Sequence, residues 1–329
     1  MTESSPAPKK PSLLRQIIPW IFALAILAYM FYQVDFGKVW QVIAAGKPAW
    51  IIGAYLFYCF TYYLTDILSF FRSYNWFNVR ISFRETAVLR FAAYAVQAIN
   101  GALTEAMSIF YMLRAKKVSI LHSTSSAGFI YFNEILTLLA FLTYCAFALP
   151  RENRILIQIP YLNLPFWSLF QYLMILIWIL VPLWLIFWRT GLCSRFPKIR
   201  DNNLLLAFRQ ATLANYLEVF LYRFSNNLIS LGANIIMLKA LGINAPIALL
   251  FASVPMMVNI AYWPVSAGGF GGPQLVAHFL LKGYASEEAV LAYSIIWSAL
   301  FFLTRTLTGI PFLRPVYQAA FPQNSTEKN

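Results

Sequence analysis

Acidic side chains are scarce in this sequence: 12 Asp and Glu in 329 residues, against 25 Lys and Arg. Charged residues of both signs make up 11% and hydrophobic ones 60%, whereas a soluble domain carries about 25% charge. That composition excludes a surface wetted on all sides. The two histidines, His122 and His278, exclude a multi-histidine metal site. Cys59, Cys145 and Cys193 are too far apart to suggest a disulfide framework or a zinc site. Nothing resembles an ATP-binding motif, so neither a cofactor nor a metal is expected, and any transport would be passive or driven by an ion gradient.

What is abundant is apolar sequence in long blocks. Residues 17–34 and 166–188 contain no charge at all, and each is long enough to cross a hydrocarbon core of about 30 Å. The chain therefore reads as an all-α polytopic membrane protein. Its formal net charge of +13 is carried by clusters that flank the apolar blocks. They are Lys9, Lys10 and Arg15; Arg72, Arg80, Arg84 and Arg90; Arg114, Lys116 and Lys117; and Arg189, Arg195, Lys198, Arg200 and Arg209. Such clusters mark cytoplasmic loops and attract anionic lipid headgroups. They predict a multi-pass protein of the cell membrane with its N-terminus in the cytoplasm. No nucleic-acid motif accompanies them.

The expected order is a disordered tail at 1–14, a single transmembrane domain over 15–312 and a short polar tail at 313–329. Seven spans are expected, at 17–34, 48–71, 123–149, 166–188, 217–241, 245–265 and 286–310. Residues 72–90 read as a basic loop or interfacial segment, and 202–216 as an interfacial helix. Two segments are apolar yet interrupted. Residues 91–113 carry Gln97, Asn100, Gly101, Thr104 and Glu105 between two basic clusters. Residues 266–281 open with Ser-Ala-Gly-Gly-Phe-Gly-Gly-Pro-Gln. Both are expected to be re-entrant broken-helix elements, which are tolerated at membrane depth only where protein or a wet cavity satisfies the backbone. A shift of 167 residues places Gly101 on Gly268, Leu103 on Phe270 and Ser119 on Ser286. This is a faint sign of an internal repeat of the kind many transporters use.

An ionisable residue at bilayer depth is costly and so marks a candidate site. Glu105, Glu134, Glu218, Arg223 and Arg305 fall within or at the edge of the apolar segments, whereas Asp66 reads as interfacial. Pairing of Glu134 with Arg223 or Arg305, merely to hold helices together, is the alternative. The glycine cluster has two readings as well. Gly268 and Gly272 fit a small-residue packing face, while Pro264 and Pro273 argue for a true break, where exposed N–H groups and a helix N-terminus would bind an anion.

The stretch from Trp263 to Trp297, followed by FLTRTL, is similar to the C-terminal signature of the lysylphosphatidylglycerol synthase transmembrane (flippase-like) family. INGALTEAMSIFYMLRAKKVS resembles an earlier loop of that family. By this resemblance Gly268, Gly269 and Gly271 match the glycine loop, Arg305 the span arginine and Glu105 the acidic residue of the first loop. Gln274 stands where the family often has Glu, and Thr104 where it has Gly. In family members that are enzymes, aminoacyl transfer belongs to a separate soluble domain, for which the C-terminal stretch here is expected to leave no room.

The resemblance thus implies a stand-alone member that handles a lipid and is not itself an enzyme. A phospholipid or lipid-linked substrate would be translocated between leaflets through a polar cavity lined by the two re-entrant elements. Its phosphate would lie near the glycine turn with Arg305 or Arg223, and Glu105 or Glu134 would face a cationic headgroup or carry a proton. A partner enzyme of lipid modification is a further implied contact. The alternatives are a membrane-embedded glycosyl or aminoacyl transferase and a non-catalytic accessory subunit of a lipid-modifying complex.

Overall fold

The computed structural model describes residues 36–97, 101–150, 158–159, 164–261, 266 and 270–321. Six long or medium elements open the described chain: α1 (Phe36–Ala45), α2 (Pro48–Phe77), α3 (Phe83–Gln97), α4 (Gly101–Lys116), α5 (Ile120–Ala148) and α6 (Phe166–Arg189). Two short helices follow, α7 (Pro197–Arg200) and α8 (Leu206–Gln210). The remainder is α9 (Leu213–Ala240), α10 (Ile247–Ile260), α11 (Gly272–Leu281) and α12 (Glu287–Ala320). The protein is a multi-pass helical membrane protein. Four of the described helices, α2, α5, α6 and α12, are long and apolar enough to span a bilayer. The expected span at 17–34 and the expected tail at 1–14 lie outside the described residues.

The order long, short, short, long occurs twice, in α2–α5 and again in α9–α12. Corresponding caps agree with the 167-residue shift. The Ser119 hydroxyl accepts from the His122 N–H at the start of α5, and Ser286 does the same for Ala289 at the start of α12. The packing is exchanged between halves: α2 lies along α9, α3 along α12 and α10 along α5. Helices α3 and α4 run antiparallel. Arg90 meets Glu105 near one level, while Glu85 meets Tyr111 and Lys116 near the other. With 15 and 16 residues they are about 23 Å long, short of a full crossing.

Lipid supplies little hydrophobic drive for helix association, so close packing and interhelical hydrogen bonds must hold the bundle. Tyr63 donates to Thr308 Oγ1 (3.0 Å), Tyr293 to Asn234 Oδ1 (2.5 Å) and Asn227 to Thr137 Oγ1 (3.1 Å). Gly309 lets α12 touch α3 backbone to backbone, since a Cβ there would lie 2.5 Å from Phe91 O and Ala95 N. Around this polar centre the outer faces are apolar. Leu173, Leu176, Ile179, Leu180, Leu183 and Ile186 of α6 are all exposed.

Several sequence expectations need correction. The span expected at 245–265 stops at Ile260 after 14 residues, where the Ser266 hydroxyl takes the Ile260 carbonyl (2.7 Å) and closes the helix end. The span expected at 217–241 coincides with α9, which is long enough to cross, although Glu218, Arg223, Lys239 and four asparagines make it more polar than the four apolar helices. The loop expected at 72–90 shrinks to 78–82, because α2 runs on to Phe77 and α3 starts at Phe83. The interfacial helix expected at 202–216 is broken. Thr212 and Asn215 form a reciprocal cap (3.2 and 2.7 Å) that starts α9 there. Residues 313–320, expected in a polar tail, continue α12 through Pro311 and Pro315, with Leu313 and Val316 packed against Ile81 and Leu89.

Candidate functional site

Helix α2 delivers Asp66 to the centre of the bundle, where it is 2% exposed. Both carboxylate oxygens are used. Oδ2 accepts from Arg90 Nε (2.8 Å) and from the Tyr94 hydroxyl (2.5 Å). Oδ1 faces Arg223 of α9 at 2.9 Å. One carboxylate thus ties the first half to the second. Asp66 was expected at an interface; instead two guanidiniums and a phenol replace its hydration shell, which is what allows it to stay buried.

Arg90 extends the network. Its NH1 donates to Glu105 Oε1 (2.9 Å) and Ser108 Oγ (3.1 Å), and its guanidinium lies 3.7 Å from the centroid of Phe70. The sequence groups Arg90 with a cytoplasmic basic cluster, whereas in the structure it is buried at the centre of the bundle, 2% exposed. A signal was present: Arg90, Tyr94 and Gln97 are spaced i, i+4, i+7, so they share one helix face amid alanines.

Glu105 Oε1 also accepts from the Tyr131 hydroxyl of α5 (2.6 Å). Glu134, one turn along from Tyr131, accepts from Asn227 Nδ2 at Oε1 (2.9 Å), with Oε2 3.6 Å from Arg223 NH1. Arg305 of α12 is buried against the rings of Tyr62 (4.3 Å) and Phe301 (4.0 Å). It hydrogen-bonds Gln97 Oε1 and, at 3.4 Å, the Tyr62 hydroxyl.

These groups surround a cavity of about 350 Å³, within the range of small-molecule sites. Asp66, Arg90, Glu105, Glu134 and Arg223 line it, with Tyr62, Gln97, Thr104, Tyr131 and Asn226. Six helices contribute, so the cavity is a property of the whole bundle. Several lining atoms have no hydrogen-bond partner among the described residues: Glu105 Oε2, Thr104 Oγ1, Gln97 Nε2, Arg223 Nε and Asn226 Oδ1. Donors and acceptors buried in the cavity wall thus both lack a partner among the described residues.

Of the residues singled out in the sequence, Glu105, Glu134 and Arg223 meet in this cavity, and Arg305 adjoins it through Tyr62 and Gln97. Glu218 does not. It pairs with Arg72 (2.7 Å) and Tyr222 at the partly exposed start of α9. Gly268 and Gly269 lie outside the described residues. Gly271 adopts φ 94°, a conformation that favours glycine. Its N–H, however, is taken by Gln274 Oε1 (2.7 Å), so that donor is not offered to an anion.

Gln274, fully buried, does two jobs at once. While Oε1 closes the Gly271 turn, Nε2 donates to the Ser294 carbonyl (3.1 Å) and Ser298 Oγ (2.9 Å) of α12. A carboxylate has no N–H to give. Gln274→Glu is therefore expected to cost about 1–3 kcal/mol, seen as a lower unfolding midpoint in detergent, whereas an unchanged midpoint would show that the amide is dispensable. Among the described residues no group of three or more His, Cys, Asp or Glu could hold a metal ion.

Fold and cavity together define a class, a helical membrane protein with a charged chamber inside its bundle. Within that class, residues 16–309 match the lysylphosphatidylglycerol synthase TM region, and the chain belongs to that family. The family places it among membrane proteins of lipid metabolism or transport. Comparison with curated proteins gave no match.

Proposed function

We propose that this protein binds the headgroup of a membrane phospholipid or lipid-linked substrate in the central cavity and moves it between leaflets. The observation that carries the reading is the chamber itself. Three carboxylates and two guanidiniums line it within a bundle whose outer faces are apolar, and it keeps unpartnered atoms of both kinds. Helices held together by mutual charge pairing alone, as a scaffold would need, have no use for Glu105 Oε2 or Arg223 Nε left open. An ammonium or hydroxyl group would approach Glu105 and Glu134. A phosphate would approach Arg223 Nε, Thr104 and Gln97.

The pair α3–α4 is read as a re-entrant element, entering and leaving from one face, and α10–α11 as its counterpart. The chain would sit in the cell membrane with a cytoplasmic N-terminus, its basic loops against anionic headgroups. An enzyme of lipid modification is the natural supplier or user of the substrate. The transferase alternative finds less support, since the acidic groups of the cavity are tied to arginines, tyrosines and Asn227.

The test is leaflet exchange of fluorescent phospholipids of differing headgroup charge in vesicles holding the purified protein. Exchange above that of empty vesicles is expected for at least one headgroup. Glu105→Gln should slow it about tenfold, corresponding to loss of about 1.4 kcal/mol of headgroup contact. Folded protein that accelerates no headgroup removes the proposal.

A further inference from the structure

Beside α5 the cavity wall reaches the surface of the protein, where Tyr131 is 42% and Ile135 53% exposed. On the opposite flank of the same helix lies a second hollow of about 560 Å³, between α5 and α6. Phe132, Leu139, Leu180 and Trp184 are among its walls, and all its lining side chains are apolar or aromatic. Ile135 borders both spaces. The helical spacing accounts for this: residues 131, 134 and 138 turn to the charged cavity, residues 132, 136 and 139 to the groove, and Ile135 sits between the two stripes.

Resting on the lipid-binding reading of the cavity, we infer that the α5–α6 groove seats an acyl chain of the same lipid molecule whose headgroup enters the cavity, with the chain crossing α5 over Ile135. The meeting of the two hollows at one shared wall residue, Ile135, selects this occupant. A lipid is a polar head joined covalently to an apolar tail, and here a charged chamber borders an apolar trough. The groove's contribution is positional. A tail leaving the bilayer for an apolar groove gains almost nothing from hydrophobicity, because lipid is as apolar as leucine. What the groove supplies is a path along which the tail stays in an apolar medium while the head is desolvated among charges. By contrast, the shallow hollow at Ala49, Gly53, Phe57 and Ile236 on α2 and α9 shares no residue with the cavity. It serves as an internal control for ordinary lipid contact.

Two photoactivatable phospholipids would test this on the full chain in vesicles, one carrying its diazirine in the headgroup and one at the middle of an acyl chain. Labelled residues are mapped by mass spectrometry. The head probe is expected on cavity residues, and the tail probe on Leu139 and Leu180 several-fold above Phe57. Glu105→Gln should bring the groove labelling down to the Phe57 level. Leu180→Trp, at a side chain that is 51% exposed on the outer side of α6, should lower tail labelling of the groove while head labelling of the cavity by a short-chain analogue persists. Cavity labelling by the head probe combined with tail labelling no stronger at Leu180 than at Phe57, or unchanged by Glu105→Gln, overturns the groove assignment alone. Absence of head labelling in the cavity overturns the lipid-binding reading, and the groove assignment with it.

Discussion

Asp66→Ala is expected to destabilise the protein by about 3–5 kcal/mol, the usual cost of removing one partner from a buried charge pair. The cost falls at the top of that range because Asp66 serves two arginines and a tyrosine at once (2.8, 2.9 and 2.5 Å). Without it, Arg90 keeps Glu105, but among the described acidic residues Arg223 keeps only Glu134, at 3.6 Å. The measurement is the thermal unfolding midpoint of detergent-purified protein, with the yield of monodisperse material alongside. A cycle with Asp66→Asn, Arg223→Gln and the double variant isolates the tie between halves, and coupling of about 0.5–3 kcal/mol is expected for groups in direct contact. Strictly additive effects would show that the Asp66–Arg223 contact binds nothing together.

The second large effect is expected at Gly309, where a methyl group would land 2.5 Å from Phe91 O and Ala95 N. Both neighbours are backbone atoms, so no side chain can swing aside and α3 and α12 must separate. Overpacking of this kind costs about 1–3 kcal/mol. The functional loss should exceed the stability loss, because Arg305 lies one turn before Gly309 and reaches Gln97 across the same helix contact. Gly309→Ala should therefore lower the unfolding midpoint and also slow lipid exchange. Gly232→Ala is the matched control. A Cβ there meets nothing within 4 Å, and helix propensity favours alanine by about 1 kcal/mol. Equal behaviour of the two variants would remove the close-approach argument.

Hydropathy placed the strongest spans well. The expected 48–71, 123–149 and 166–188 correspond to α2, α5 and α6, whose apolar composition is enough to announce them. The broken character of 91–113 was also legible, since Gln97, Asn100 and Gly101 interrupt an apolar run, and α3 and α4 divide there. The twice-occurring order of long and short helices left only a trace in the sequence, in the serines that cap α5 and α12.

The candidate site was less readable, for a physical reason. An arginine at the cytoplasmic end of a span and one buried among carboxylates look alike in sequence. Arg72 and Arg90 were grouped together, yet the side chain of Arg72 is 46% exposed and that of Arg90 only 2%. What distinguishes them is a partner far along the chain. Asp66 and Arg223 are far apart in sequence, and no local pattern announces their contact. Similarly, the glycine turn advertised free N–H groups, and only the structure reveals that Gln274 occupies that of Gly271.

The twofold plan of the bundle has an electrical consequence. Among the described residues, the charges at the polar centre are divided unequally between the two halves. The first four-helix unit supplies three carboxylates and one guanidinium, Asp66, Glu105, Glu134 and Arg90, while the second supplies Arg223 and Arg305. At the polar centre, the charges supplied by one unit are opposite in net sign to those supplied by the other. The central charges of two first units would repel one another, as would those of two second units, whereas one of each neutralises the centre. Like the opposite plates of a capacitor, the halves are bound to unlike partners, and the charge that selects the correct pairing is the same charge that lines the chamber.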